Sequence, residues 1–227
     1  MFLPLHDDTP LKVIRFQFVT LAIIILNVLI FLYTGPLGSD HILASAEGNF
    51  GLVPLQLLHP QTTTDPIAEP FTLISYLFLH GGWMHLIGNM LFMWVFADNI
   101  EDAYGYAGFA IFFLLCGVAG GLTHVFMMPN SDSPLIGASG AVSGVLAAYI
   151  VLFPRARIWV LPFFPVPIPL PAVLVLGFWF LLQVYHVAAA RPGEDIAWWA
   201  HIGGFACGLT LTLILRKRLF FTPNGRI

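Results

Sequence analysis

The sequence predicts an all-α membrane protein, a bundle of six transmembrane helices with both termini in the cytoplasm. Hydrophobic residues make up 58 % of the 227 residues and charged residues only 9 %, whereas a soluble domain carries about 25 % charged residues. So little charge cannot cover a water-facing surface, which leaves a multi-pass membrane protein as the class that fits. The sequence has no basic block of the kind that binds nucleic acid, so no such partner is expected.

Six apolar segments approach the ~20 residues that a membrane-spanning helix needs. The predicted spans are 16–34, 83–99, 106–128, 136–153, 170–190 and 196–215. Together they predict one domain over residues 1–227, with a core at about 16–218 and short tails at both ends. The long segment 35–82 contains the apolar stretch FGLVPLQLL, which is expected to lie in the membrane interface rather than to cross.

Basic residues near the span ends predict the orientation of the chain. Of the nine lysines and arginines, only Arg191 lies on the side of the spans opposite to the termini. Both termini are therefore expected in the cytoplasm, and spans two, four and six then begin at the outer face. A bacterial inner membrane is the expected location. The proline-rich stretch LPFFPVPIPLP before span five is predicted to be a stiff re-entry on the cytoplasmic side.

Polar side chains gather near the outer ends of the same three spans. Span two opens with HGGWMHLIGN, which places His85 and Asn89 four residues apart on one helix face. Span four opens with GASG and Ser139, and span six opens with WWAHIGGFACG and His201. At ~1.5 Å rise per residue, these side chains differ in depth by only a few ångströms. Polar groups within a bilayer need partners or a cavity, so their common depth indicates a site.

Glycines predict how spans four and six meet. Gly140 and Gly144 are four residues apart on span four, and Gly204 and Gly208 are four apart on span six. Such small-residue faces let helix backbones approach closely in lipid. If these faces meet, the serine of span four and the histidine of span six become hydrogen-bonding neighbours. The histidine would then take the hydroxyl proton while the serine attacks a carbonyl carbon.

A developing oxyanion would need hydrogen-bond donors, which His85, Asn89 and the backbone N–H of Ser139 would supply. The runs HGGWMHLIGN, GASGAVSG and AHIGG, in this order and on these spans, resemble the motifs of rhomboid intramembrane serine proteases. The resemblance covers the six-span core and implies that Ser139 is the nucleophile and His201 the general base, without an acidic third member. It implies that His85 and Asn89 are oxyanion-hole side chains and that His80 is a structural histidine.

The resemblance extends to residues around the site, with two departures. Structural roles near the site are expected for His80, Gly137, Gly140 and Gly204. Glu101 resembles the acidic residue that ties the cytoplasmic helix ends together in this family. Ser143 stands where many members carry an aromatic ring that stacks on the histidine, so either another group orients His201 or the base is held less rigidly. Phe71 and Thr72 stand where many members carry a Trp-Arg pair, which leaves the bracing of that loop open.

These features predict hydrolysis of a peptide bond in a transmembrane protein substrate, close to the outer face of the bilayer. The expected partners are such substrates and the lipid itself; no cofactor and no metal are expected, and the oligomeric state stays open. The alternative is a catalytically silent relative that binds membrane clients without cutting them. A small transporter is disfavoured because the interior polar groups are neutral and lie near one face.

The remaining polar residues of the spans are interpreted as interfacial. His124 and His186 lie near the outer ends of their spans and are expected to face the interface. Gln183 and Tyr185 are expected only to anchor span five.

Overall fold

A computed structural model describes residues 3–35, 40–59, 69–161, 166–189, 197–219, 221–222 and 225–226. The described chain is mostly helical. Its helices are α1 (Phe18–Thr34), α2 (Asp40–Phe50), α3 (Pro54–Leu58), α4 (Glu69–Ser75), α5 (Trp83–Tyr104), α6 (Tyr106–Met127), α7 (Ser139–Leu152), α8 (Ala172–Ala189) and α9 (Trp198–Leu215), with a 3₁₀ turn at Tyr76–Phe78.

Each predicted span overlaps one of these helices. The largest difference is in α5, which continues to Tyr104 instead of ending near residue 99. Among the described residues, α6, α8 and α9 are long and apolar enough to cross a membrane, while α1 and α7 are shorter apolar helices. Six crossings and cytoplasmic termini stay a prediction.

Helix α7 forms the centre of the bundle, since every residue from Gly140 to Tyr149 is buried. It packs against α9 through the predicted glycine faces. A Cβ atom added to Gly204 would run into the Gly140 carbonyl, and one added to Gly208 would run into the Gly144 carbonyl. The two backbones are therefore in direct contact, which confirms the predicted close approach.

Two acidic residues at the end of α5 hold the start of the chain. The buried carboxylate of Glu101 accepts hydrogen bonds from the N–H groups of Val19 (2.9 Å) and Thr20 (2.7 Å), and from the Thr20 hydroxyl (2.7 Å). These N–H groups belong to the first turn of α1, where no intrahelical acceptor exists and negative charge is favourable. Asp102 accepts from three consecutive N–H groups of residues 12–14. Glu101 thus ties the end of α5 to the start of α1, as predicted.

The prediction of an all-α fold is wrong in one region, where a small antiparallel sheet forms. Strands β1 (Leu3–Asp7), β2 (Arg157–Leu161) and β3 (Ile168–Pro171) pair in the order β1-β2-β3. Strand β1 comes from the predicted N-terminal tail, and β2 and β3 both lie within the connection between α7 and α8. Strand β1 pairs with a distant part of the chain, so no local periodicity predicts it. Strands β2 and β3 form a local hairpin, but the prolines of that stretch favoured an unpaired segment.

The proline-rich stretch before α8 is also different from its prediction. Residues 168–171 form the edge strand β3 rather than an unpaired stiff segment, and residues 162–165 lie outside the described residues. An edge position accommodates Pro169 and Pro171, because proline has no N–H to donate to a neighbouring strand. A short pair, β4 (Phe221–Thr222) with β5 (Gly225–Arg226), follows α9.

The end of β1 is anchored in the helical bundle. The Asp7 carboxylate accepts hydrogen bonds from the Tyr149 hydroxyl and from Asn99 Nδ2, the latter at 3.0 Å. Burial raises the pKa of the Asp7 carboxyl above its usual 3.8, against hydrogen bonds from Tyr149 and Thr9 that lower it. The N-terminal strand therefore joins α5 and α7 through one half-buried acidic side chain.

The stretch FGLVPLQLL has a buried middle with exposed ends, Phe50 and Leu58, and does not form a span. Leu52 and Val53 are buried, and α3 begins at the next residue, Pro54. The Leu52 N–H donates to the Leu135 carbonyl at 3.0 Å, and the Leu135 N–H donates back at 2.8 Å. This bridge fixes the loop that leads into α7.

Candidate active site

The loop before α7 presents Ser139 as the first residue of that helix. Gly137 has φ of +114°, in the left-handed region that favours glycine, and its N–H donates to the Tyr76 carbonyl at 2.9 Å. A Cβ atom at this position would lie 2.5 Å from His85 Nε2. Both the backbone conformation and the lack of space therefore require glycine, and the loop backbone lies against the His85 ring.

The structure brings Ser139 and His201 into hydrogen-bonding contact. His201 Nε2 lies 2.8 Å from Ser139 Oγ, although the two residues are on different helices, α9 and α7. The contact of Gly140 with Gly204 lies directly beside this pair, because each glycine is within one turn of one partner. The glycine contact therefore places the two helices close enough for the bond to form.

Gln183 on α8 contacts the other nitrogen of His201. Its Oε1 lies 2.8 Å from His201 Nδ1, and its Nε2 donates to the Trp179 carbonyl at 3.1 Å. The Gln183 side chain is buried, so the prediction that it only anchors span five is wrong. The ring of Trp179 lies 5.9 Å from that of His201, and the ring of Trp198 lies 5.8 Å away and nearly perpendicular. Gln183 and these rings surround His201 where one stacked ring was expected.

Ser143 lies one turn after Ser139 and does not face His201. Its hydroxyl donates to the Ser139 carbonyl at 2.7 Å, and its side chain is fully buried. A serine hydroxyl commonly bonds the carbonyl four residues earlier in a membrane helix. Position 143 therefore carries a small side chain that bonds within α7 and offers no ring to His201.

Asn89 connects the two histidines at the start of α5. Its Nδ2 donates to the His85 carbonyl at 3.1 Å and lies 3.1 Å from His80 Nε2. Burial is the main cause that lowers the pKa of His80 to about 3, with the nearby His85 second, so this ring is neutral and accepts from Asn89. The rings of His80 and His85 lie 4.9 Å apart. These contacts use both Nδ2 hydrogens of Asn89, so an oxyanion would have to displace one of them.

Two cavities meet at Ser139 and His85. One, of about 370 Å³, is also lined by His124, Ser133 and His201. The other, of about 220 Å³, lies between α5 and α8 and contains Asn89, Met84, Phe92 and Trp179 among its lining residues. Neither cavity has a charged aspartate, glutamate, lysine or arginine among its described lining residues. Ser139 is thus reachable from two directions through neutral surroundings.

One histidine near the site differs from its sequence-based interpretation, and one tyrosine near the site was not predicted. His124 is buried and lines the larger cavity, so it is not an interfacial side chain. His186 is exposed and stacks on Trp198 with ring centroids 4.4 Å apart, in agreement with an interfacial position. Tyr76 is fully buried, and its hydroxyl donates to the Gly117 carbonyl at 2.7 Å. Together with the bond from Gly137, this contact braces the loop before Ser139.

The position of the expected Trp-Arg pair shows a different bracing. Phe71 is exposed and Thr72 is buried. Three residues later, the Ser75 hydroxyl donates to the Phe50 carbonyl at 2.7 Å and joins α4 to the end of α2. Backbone and hydroxyl contacts therefore hold the segment before α5.

The chain is similar to rhomboid proteins over most of its helical core. The rhomboid domain profile matches residues 68–218. The mitochondrial rhomboid protein 1 of Saccharomyces cerevisiae is 31 % identical over 153 residues, covering 64 % of this chain and 42 % of that protein. The mitochondrial rhomboid-like protein 6 of Arabidopsis thaliana is 28 % identical over 147 residues, covering 65 % of this chain and 44 % of that protein.

Similarity extends to a relative that is described as inactive. Inactive rhomboid protein 1 of Drosophila melanogaster is 26 % identical over 169 residues, covering 74 % of this chain and 11 % of that protein. The two organellar relatives give no support to the expected bacterial membrane, which stays an expectation. This chain spans less than half the length of the three relatives described. Because the rhomboid domain matches well over half of its residues, the chain belongs to the rhomboid family.

Proposed function

We propose that the protein is an intramembrane serine endopeptidase that cleaves a peptide bond in transmembrane protein substrates. Ser139 is the nucleophile and His201 the general base. The observation that carries this proposal is the 2.8 Å contact between Ser139 Oγ and His201 Nε2 at a point reached by two cavities. A nucleophile and base within hydrogen-bonding distance, with the base oriented by a third group, are the signature of an activated serine.

In the first step, the Ser139 hydroxyl gives its proton to His201 Nε2 while Oγ attacks the carbonyl carbon of the scissile peptide. The tetrahedral intermediate collapses when the imidazolium returns the proton to the leaving nitrogen, which breaks the C–N bond and leaves an acyl-enzyme. Water then attacks the ester with His201 again as base, and the acid product and free Ser139 are released. General base catalysis of this kind contributes about 10²–10⁴ in rate.

The oxyanion of each intermediate is stabilised at the start of α7. The N–H groups of the first turn have no intrahelical acceptor, so the Ser139 N–H is available and lies at the positive end of the helix dipole. His85 lines both cavities together with Ser139 and supplies a ring N–H on the same side. Asn89 contributes when one of its N–H bonds turns from His80 or the His85 carbonyl to the oxyanion.

Substrate and water reach the serine from different sides. The smaller cavity opens between α5 and α8 and is lined by the apolar side chains of Met84, Phe92 and Trp179. These suit a transmembrane segment that enters sideways from lipid. The larger cavity is lined by His85, His124 and Ser133, whose polar groups suit water. The scissile segment must unwind locally, because helical hydrogen bonds otherwise occupy its carbonyl group.

The two ends of α7 support an orientation of the protein across the membrane. Ser139 begins the helix, whereas Tyr149 near its other end contacts Asp7 of the N-terminal strand. Arg155 and Arg157 follow that second end, and basic residues favour the cytoplasmic side. This distribution supports cytoplasmic termini and cleavage near the outer face, and the six apolar segments of the sequence support six crossings of the bilayer.

The test is cleavage of a model transmembrane substrate by purified protein in lipid. Ser139→Ala and His201→Ala should each abolish cleavage while the thermal unfolding midpoint changes little. Ser143→Ala is the matched control, the same substitution one turn further along α7, and it should retain cleavage. Cleavage that persists in Ser139→Ala would contradict the proposal.

The alternative function is a silent family member that binds membrane clients without cutting them. Its support is the similarity to the Drosophila protein described as inactive. Under this alternative, the wild-type protein would hold the substrate without cleaving it, and Ser139→Ala would bind it equally well. The presence of both Ser139 and His201 in contact favours the protease.

A further inference from the structure

We propose that Gln183 is a positioning residue that fixes the tautomer and orientation of His201. This inference rests on the proposed protease function and deepens it. Gln183 is on α8, His201 is on α9, and the amide is the group that bonds His201 on the side away from Ser139. It takes the place of both an acidic third member and the stacked ring expected at position 143.

The orientation of the Gln183 amide follows from its two contacts. Its nitrogen faces the Trp179 carbonyl at 3.1 Å, and its oxygen faces His201 Nδ1 at 2.8 Å. The reversed amide would set two oxygens against each other at Trp179. The carbonyl of Trp179 accepts only, so Nε2 must lie there and Oε1 must face the imidazole.

This orientation determines which His201 nitrogen carries the proton. An amide oxygen only accepts, so Nδ1 must be the protonated nitrogen of the neutral ring. His201 Nε2 then has a free lone pair directed at Ser139 Oγ, 2.8 Å away. That is the tautomer a general base needs, and the opposite tautomer would present an N–H to the nucleophile.

The surroundings of Gln183 make this contact specific. The side chain is 5 % exposed, whereas Leu181, two residues earlier on α8, is 64 % exposed. Nearby, Phe180 of α8 stacks on Phe205 of α9 with ring centroids 3.9 Å apart and an interplanar angle of 19°. This stack holds α8 against α9 about one helical turn away from the contact of the amide with the imidazole. A buried amide with both ends bonded loses little further freedom when it orients the ring.

The test compares Gln183→Met, which keeps the length of the side chain but not the acceptor, with Gln183→Glu, which keeps an acceptor. The matched control is Leu181→Met on the lipid-exposed face of α8. Nitrogen NMR of ¹⁵N-labelled histidine reports the His201 tautomer, with the His201 signals assigned from a His201→Gln sample. Cleavage of the model substrate gives kcat, KM and the pH profile.

Gln183→Met should lower kcat by about 10²-fold, the scale of general base catalysis, with KM nearly unchanged. Its His201 signals should show loss of the single Nδ1–H tautomer. Gln183→Glu should recover most of kcat and move the acidic limb of the profile to higher pH, because a carboxylate favours the imidazolium. Leu181→Met should match the wild type in every measurement.

A Gln183→Met protein with wild-type kcat and an unchanged His201 tautomer would overturn the proposal. So would a Gln183→Glu protein that loses as much kcat as Gln183→Met, since the acceptor would then be irrelevant. The NMR measurement needs no activity. A wild-type protein that cleaves nothing but holds His201 as the Nδ1–H tautomer only while Gln183 is present would refute the protease function alone.

Discussion

Replacing Gly204 with alanine tests whether the contact of α7 with α9 sets the geometry of the site. The new Cβ atom would run into the Gly140 carbonyl oxygen and would also lie 2.7 Å from the carbonyl carbon, whereas ordinary contacts begin at 3.4 Å, so the carbon alone sets a lower limit on the separation. Backbone atoms cannot rotate away as a side chain can, so the helices must separate by about 0.7 Å or more to relieve this contact. Gly204 is three residues after His201, so the separation acts directly on the catalytic pair.

The expected loss follows from that displacement. Adding about 0.7 Å to the 2.8 Å between His201 Nε2 and Ser139 Oγ brings the distance to the limit of a hydrogen bond. A misplacement of this order costs about 10²-fold in rate, and overpacking costs about 1–3 kcal/mol of stability. Gly204→Ala should therefore show both a slower cleavage of the model substrate and a lower unfolding midpoint.

The matched control is Gly177→Ala, also within a membrane helix. A Cβ atom at Gly177 meets nothing within 4 Å. This variant should keep the wild-type cleavage rate and unfold no earlier, because alanine is the better helix former. A Gly204→Ala protein that cleaves at the wild-type rate would refute the view that glycine contact positions Ser139 against His201.

Three further predictions concern the oxyanion donor Asn89 and the acidic side chains of Glu101 and Asp7. Asn89→Ala should slow cleavage by about 10²-fold or more, as loss of an oxyanion-hole donor does, and a wild-type rate would remove Asn89 from the site. Glu101→Gln should lower stability by about 1–3 kcal/mol, since an amide has one oxygen for the three donors of α1, and an unchanged unfolding midpoint in detergent would contradict this. Asp7→Asn should alter the pH dependence of stability. Burial raises the pKa of Asp7 in the folded protein, so its contribution is full at acidic pH and is lost as pH rises from about 4 through the folded pKa. Unfolding midpoints of the wild type should therefore fall relative to those of Asp7→Asn over that rise, and parallel curves would refute the assignment.

The contact of Ser139 with His201 was predictable because it depends on local patterns. Each residue lies near the start of an apolar helix, and glycines at four-residue spacing mark the faces that meet. Helix rise then sets the depth of each side chain. The prediction also requires that the two glycine faces meet, as they do in the structure.

Gln183 was missed because its role depends on the rotation of α8 against α9. Hydrophobic patterning cannot tell how α8 is rotated about its own axis, because both its packed face and its outer face are apolar. A signal was nevertheless present, since a glutamine within an apolar span needs a partner. His124 was misread for the same reason, because its distance from the predicted end of α6 did not reveal that it is buried and lines a cavity with Ser139 and His201.

Strand β1 was missed because it pairs with a distant part of the chain, whereas β2 and β3 form a local hairpin. Leu3 pairs with Leu161, and no local pattern connects these positions. The prolines of β3 also favoured an unpaired segment over a strand. Only the folded arrangement of the helix ends brings the N-terminal strand beside β2.

The most direct test of the central claim is reaction of the folded protein with a fluorophosphonate probe, with the labelled peptide mapped by mass spectrometry. An activated serine forms a covalent adduct, whereas an ordinary serine does not. We expect the label on Ser139, strongly reduced labelling in His201→Ala, and none in Ser139→Ala. An intact protein that takes no label, or one that carries it on another serine in Ser139→Ala, would contradict the assignment of Ser139 and His201 as the catalytic pair.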